Sequence, residues 1–250
     1  MKAEIICVGT ELTLGERLNT NSAWLAADLA RVGIETVLHA TVADDEDALI
    51  AVLKSAADSV DIVVLTGGIG PTPDDITRQA VARAAGVPLV RDAASLEYIE
   101  SLFRSWGRQM KPSNAVQADF PEGSVIIPNP TGTAPGFAVT IGRCTFYILP
   151  GVPSEMKRMW NDSVLPRIET LSGSVLITRT INCFGRGESD ITEAIKDLMA
   201  PGRNPSVGDT AEDTIIKIRI RASAPSVDKA LAMIDITKSD IRSRIGDVIF

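Results

Sequence analysis

The segment Thr66-Gly67-Gly68-Ile69-Gly70-Pro71-Thr72-Pro73-Asp74-Asp75 joins three glycines to two adjacent carboxylates, directly after the apolar run Asp61-Ile62-Val63-Val64-Leu65. Gly67, Gly68 and Gly70 let the main chain turn sharply and bring N–H groups close to an anion with no Cβ in the way. Phosphate oxygens suit such a cradle, and Asp74 with Asp75 suits a hard divalent cation. The pattern predicts a helix from Asp75 to Ala85, whose positive end would favour both carboxylates. The same residues also read as a turn followed by an N-cap and its neighbour. Glycines, paired carboxylates and a strand end together favour a site.

Three further segments carry polar or small residues where strands end or helices begin. Gly9-Thr10-Glu11 follows the first strand, and Asn19-Thr20-Asn21 begins the helix after it. The two asparagines read equally as helix caps. Asn129-Pro130-Thr131-Gly132-Thr133-Ala134-Pro135-Gly136 follows a short strand and offers hydroxyls, an amide and close main-chain approach to a phosphate, ribose or base edge. Pro150-Gly151-Val152-Pro153-Ser154-Glu155 opens another helix. There Glu155 stands either near a metal or simply at the positive end of the dipole.

The elements that must position these loops alternate in type. Strands at 3–8, 35–42 and 62–66 are each followed by a helical pattern, near 22–32, 45–59 and 75–85, and Gly33 stops the first helix. That alternation predicts an α/β fold with a mostly parallel sheet, whose strand ends form the ligand edge. A helix at 95–106, strands at 125–127, 137–141 and 144–149 with a tight Gly142-Arg143 turn, and a helix at 153–171 complete a first domain, 1–172. The second, 173–250, reads as strand 176–184, helix 189–199, a Pro/Gly/Asn loop, strand 215–222 and helix 227–245, a small α+β module. It holds 11 acidic and 11 basic residues, so the whole formal charge of −7 belongs to the first domain.

Composition narrows the chemistry. An apolar content of 45% over 250 residues supports a full core, and no apolar run is long enough to span a bilayer. The N-terminus lacks a signal-peptide pattern, which predicts a cytoplasmic protein. Cys7, Cys144 and Cys183 each sit in an apolar run and read as buried thiols. His39 is the only histidine, which argues against a histidine-based metal site or a Ser-His-Asp triad, and a metal would be held mainly by oxygen, which favours Mg²⁺ or Mn²⁺, with Co²⁺ as a further candidate. The negative charge argues against a nucleic-acid or anionic-membrane surface.

In order along the chain, Gly9-Thr10-Glu11-Leu12 with Gly15, Asn19-Thr20-Asn21, Thr66 through Asp75 with Thr77, Asn129 with Gly132-Thr133-Ala134-Pro135-Gly136, and Pro150 through Met156 resemble the competence/damage-inducible protein A family. Its N-terminal domain shares the three-layer fold of the molybdopterin-binding MoaB/MogA proteins. The resemblance implies a divalent-metal-dependent ADP-ribose pyrophosphatase giving AMP and ribose 5-phosphate, and a homodimer is expected, which could complete the pocket. It also implies roles. Asp74, Asp75 and Glu11 would be catalytic. Asp74 and Asp75 with Glu155 would hold the metal. Substrate would be bound by Gly9, Asn19, Asn21, Thr66, Gly67, Gly68, Gly70, Pro71 and Thr72, and by Asn129, the 132–136 loop and Gly151. Phe184-Gly185-Arg186-Gly187-Glu188-Ser189 and Asp197-Leu198-Met199 resemble the family's KH-type domain. A Gly-Arg-Gly-Glu loop in a neutral domain reads as a packing or dimerisation module, not an RNA clamp. The chain stops where a C-terminal amidase domain would begin, so amidase activity is not expected. The rival expectations are a molybdopterin-binding or adenylyl-transferring protein and a non-catalytic nucleotide sensor.

Overall fold

The computed structural model describes residues 1–212 and 214–250, and Ser172 by its backbone alone. It divides into two compact units, 1–29 with 34–171, and 30–33 with 172–250.

In the first unit the sheet order is β2-β1-β3-β8-β7-β6. Strands β1 (Lys2–Val8), β2 (Glu35–Val42) and β3 (Ile62–Thr66) are linked through helices α2 (Thr20–Arg31) and α3 (Glu46–Ser59), after a single turn α1 (Thr10–Thr13). β3 leads to α4 (Thr77–Ala85). Beyond it come β4 (Leu89–Arg91), α5 (Ala93–Ser105), β5 (Asp119–Pro121), β6 (Val125–Ile127), β7 (Gly136–Ile141) and β8 (Cys144–Leu149). β2, β1, β3 and β8 are parallel, while β6-β7-β8 is antiparallel. Every residue of β3 is buried, as its β-branched run requires for a strand covered on both faces. Phe137, Phe146, Leu49 and Leu53 fill the core against it.

Register decides where the site lies. Cys7 pairs with Thr66, and Thr66 with Leu149, so the chain leaves β1, β3 and β8 side by side at one edge. Phe137 pairs with Ile148 in the antiparallel hairpin, which brings the loop entering β7 to the same edge.

Local chemistry fixes the helices. The Asp45 carboxylate accepts from the Ala48 N–H at 3.0 Å and caps α3. Asp45→Ala should therefore cost about 1 kcal/mol in chemical denaturation, and an unchanged midpoint would deny the cap that role. The stretch expected as one helix over 153–171 is α6 (Pro153–Met159), a π-turn at Trp160–Val164 and α7 (Leu165–Ser172). The indole of the fully buried Trp160 donates to Asp28 at 2.6 Å there, and π-turns of this kind widen a helix locally. The cysteines are buried free thiols, and burial pushes Cys144 up to about 12.

The second unit has an antiparallel sheet, order β10-β11-β9, formed by β9 (Val175–Cys183), β10 (Ser206–Glu212) and β11 (Ile215–Ala224). Helices α8 (Glu188–Ile195) and α9 (Val227–Ile245) contribute Ile191, Ile195, Ile234 and Ile241 to its core. β10 corrects the expectation of a loop. It holds few strand-forming residues and is an edge strand defined by its seven-residue pairing with β11. No helix among the described residues is long and apolar enough to cross a membrane.

Candidate active site

At the shared edge of β1, β3 and β8 a cavity of about 790 Å³ opens. The glycine loop after β3 forms its floor. Thr77 anchors that loop from the start of α4, donating its hydroxyl to the Gly67 carbonyl at 2.9 Å and its N–H to the Gly68 carbonyl at 3.0 Å. Arg78, 2% exposed, donates to the Gly70 carbonyl at 3.1 Å and also to the Ile69 carbonyl. Burial pushes Arg78 down to about 10, partly offset by Asp75 and Asp119, so it remains a cation at neutral pH. The first turn of α4 thus supports the loop by a buried charge as well as by the dipole end.

Asp74 and Asp75, expected to open the helix, instead precede it. α4 starts at Thr77, because Asp75 turns back on its own loop. Its carboxylate accepts from the Gly70 N–H at 2.7 Å, the Thr72 N–H at 2.9 Å and the Thr72 hydroxyl at 2.5 Å. Asp75 braces the loop, and Thr72 belongs to that brace. Asp74 is exposed at the cavity wall. Its carboxyl lies below the usual carboxylate range, with the Thr72 side chain and its own backbone N–H nearby, although the Thr72 hydroxyl proton itself is directed to Asp75.

The N–H groups meant for an anion are fewer than three glycines suggest. Gly67 donates to the Leu149 carbonyl and Gly70 to Asp75. Those of Gly68 and Ile69 have no partner among the described residues, and both residues line the cavity. Opposite, Asn129 organises the 129–134 loop from inside. Its Oδ1 accepts from Thr131 and from the Gly132 N–H at 2.9 Å, and its Nδ2 donates to the Ala134 carbonyl at 3.0 Å and to Glu155 at 2.6 Å. Asn129 is fully buried, so it shapes the loop. Thr133 and Ala134 face the cavity, whereas Pro71, Thr72, Asn129, Gly132, Pro135 and Gly136 do not line it. A Cβ on Gly136 would strike the Ile148 carbonyl, which gives that glycine a packing reason.

Of the other expected residues, Gly9, Glu11, Asn19, Asn21, Thr66, Gly151 and Glu155 all line the cavity. Glu11 lies over Gly9, where a Cβ would sit 2.6 Å from its Oε2. Asn19 caps α2 by accepting from the Ser22 N–H at 3.1 Å, while Asn21 donates to the Gly151 carbonyl at 2.9 Å and ties α2 to the loop after β8. A Cβ on Gly132 would be driven into the Glu155 carboxylate, the far end of a movable side chain. Gly132→Ala should therefore displace Glu155 and weaken any turnover that the cavity supports about tenfold or more, with a melting temperature within a few degrees of wild type. Full turnover in that variant would show that the position of Glu155 is unimportant.

Sequence reasoning missed Asp44, Arg17 and Gln117 on the cavity wall. Asp44 accepts from the Thr10 N–H at 2.9 Å and hydroxyl at 2.8 Å. Gln117 is 1% exposed and donates to the Thr133 hydroxyl at 3.1 Å, while its Oε1, like Asn21 Oδ1, has no partner among the described residues. None of the three lies in a recognisable local motif. The net result is a cavity lined by five carboxylates, Glu11, Asp44, Asp74, Asp75 and Glu155, against the single cation Arg17.

Comparison with known proteins follows the two units. Residues 4–170 match the family described as "Probable molybdopterin binding domain", and residues 178–250 match the damage-inducible protein CinA KH domain. A competence-damage inducible protein of Clostridium botulinum (strain 657 / Type Ba4) is 40% identical over 250 residues, covering all of this chain and 61% of the relative. One from Oceanobacillus iheyensis is 38% identical over 251 residues, with 100% and 60% covered. The chain thus spans about three fifths of the length of these relatives. The crystal structure of a CinA of unknown function from Thermoplasma acidophilum aligns with a TM-score of 0.62 at 32% identity, covering 67% of this chain and 97% of that one.

Proposed function

Because the chain belongs to the CinA family, pairing a domain of the molybdopterin-binding fold with the family's KH domain, we propose that its first unit is a divalent-metal-dependent hydrolase that splits ADP-ribose into AMP and ribose 5-phosphate. The observation that supports this reading is the composition of one cavity: two glycine-loop N–H groups without a partner among the described residues, which could accept an anion, in a lining that also holds five carboxylates, which would repel one. An anion enters such a cavity only together with a cation.

The residues fit a magnesium-like ion by donor type. Among the described residues no three of His, Cys, Asp and Glu stand close enough to hold an ion alone. Mg²⁺ commonly takes one or two carboxylates and completes its shell with water and substrate phosphate. Asp74 and Glu155 would hold it directly and Asp75 through water. The ion would neutralise charge developing on the diphosphate and lower the pKa of a bound water.

The chain's own groups do the rest. N–H groups of Gly68 and Ile69 on one side and Thr133 and Ala134 on the other would take the non-bridging oxygens. Glu11, over Gly9, would accept the proton of the attacking water at its carboxylate. Asn19, Asn21 and Gln117 would meet the sugar, since the buried oxygens of Asn21 and Gln117 can accept from a hydroxyl. One phosphorus–oxygen bond of the bridge breaks as one forms to water, leaving two monoesters.

The family description favours one rival, a pterin-binding or adenylyl-transferring protein. Incubation of the purified chain with ADP-ribose and Mg²⁺, Mn²⁺ or Co²⁺, followed by chromatography, separates the readings. Metal-dependent AMP that disappears with EDTA supports hydrolysis. Tight molybdopterin binding with no AMP from folded protein supports the rival, and stabilisation by ADP-ribose without product would indicate a nucleotide-sensing scaffold.

A further inference from the structure

On β11, Lys217, Arg219 and Arg221 alternate with Ile216, Ile218 and Ile220. The isoleucines enter the core of the second unit, so the cations stand on the sheet's opposite face. Register surrounds them with small polar residues. Gly208 and Thr180 flank Arg219, and Ser206 and Thr178 flank Arg221. Lys217 is paired with Glu212, whereas Arg219 donates only to the Thr210 hydroxyl, at 3.0 Å. Neither Arg219 nor Arg221 has an ion-pair partner among the described residues. Asp209, nearby, falls opposite Ile218 on the other pleat, and its carboxylate accepts from the Thr192 hydroxyl at 2.9 Å.

Between the two arginines and β10 lies a cleft of about 290 Å³. Gly208 lines it, with open space where a Cβ would stand. We propose that this cleft binds a phosphate dianion, with Arg219 and Arg221 as paired guanidinium donors and Ser206 supplying a hydroxyl, while Thr210, which donates to the Asp209 carbonyl at 2.8 Å, positions Arg219. Guanidinium forks match phosphate oxygens two at a time. Asp209 also lines the cleft, but it is engaged by Thr192, and Glu212, which also acts on Arg219, is ion-paired with Lys217, so the two arginines outnumber the one carboxylate of the lining. None of the three strands carries an aromatic residue on which a base would stack, so the phosphate group itself is recognised.

The test uses the full chain, labelled with nitrogen-15, titrated in chloride buffer with inorganic phosphate, then with AMP and with ribose 5-phosphate. Saturable shifts of the Ser206, Gly208 and Arg219 amides are expected. The double variant R219Q/R221Q should bind about tenfold more weakly or worse, while K217Q should stay within about twofold because Lys217 is already paired. Binding of inorganic phosphate as tight as that of the esters would identify free phosphate as the ligand. Esters at least about tenfold tighter would identify an esterified phosphate. Non-saturating shifts, or saturation unchanged in R219Q/R221Q, would overturn the proposal. These amides lie outside the first-unit cavity, so the result is independent of nucleotide hydrolysis there.

Discussion

Under the proposed hydrolysis, Asp74→Asn is expected to lower AMP release from ADP-ribose by about two to three orders of magnitude, the usual cost of removing one charge from a preorganised phosphoryl site. The melting temperature should stay at the wild-type value. Asp74 is exposed, and the bonds that brace the loop go to its neighbour Asp75. Its neighbour should behave differently. Asp75 accepts from Gly70 N, Thr72 N and the Thr72 hydroxyl, and an amide nitrogen in place of one oxygen meets a donor. Asp75→Asn should cost about 2 kcal/mol of stability as well as activity. Paired thermal melts and AMP assays read both effects. Equal destabilisation of the two variants would show that Asp74 is part of the loop's scaffold.

The second large effect is expected from Gly67→Ala. Gly67 has φ of 102°, and a Cβ there would be driven into the Val8 carbonyl oxygen. Val8 ends a central strand paired on both sides, so its backbone cannot retreat. Strain and collision together should cost about 3 kcal/mol or more in urea denaturation. Gly142 provides the comparison. Its φ is 61° with open space around the missing Cβ, so Gly142→Ala should cost only about 1 kcal/mol. Similar losses in both variants would mean that conformation alone, not the close approach to Val8, requires glycine after β3.

Residues whose meaning is local were legible. The β-branched run 62–65 forms a buried central strand, and the loops at the ends of three parallel strands do converge. Long-range pairing was not. Asp44 reaches Thr10 across two strands, and Gln117 reaches Thr133 from a 3-10 segment beside a two-stranded ribbon, β4-β5, absent from the expected elements. Asp75 was read by position along a helix, but a carboxylate with two N–H groups and a hydroxyl within reach folds back on its own turn and delays α4 to Thr77. Arg78 shares the buried face of α4 with Thr77, Ala80 and Val81, a charge at an apolar position that only the carbonyls of the glycine loop explain. Asn129 looked like a ligand contact because loop asparagines so often are, yet its carbonyl and amide are consumed by the loop and by Glu155.

The phosphorus-31 spectrum of ADP-ribose mixed with the chain and Mg²⁺ reports directly on whether this acidic cavity breaks a diphosphate. The diphosphate resonances should give way to two monoester resonances, at a rate abolished by EDTA and lowered at least about a hundredfold by Asp74→Asn. Diphosphate resonances that persist with folded protein across Mg²⁺, Mn²⁺ and Co²⁺ would contradict the hydrolase reading.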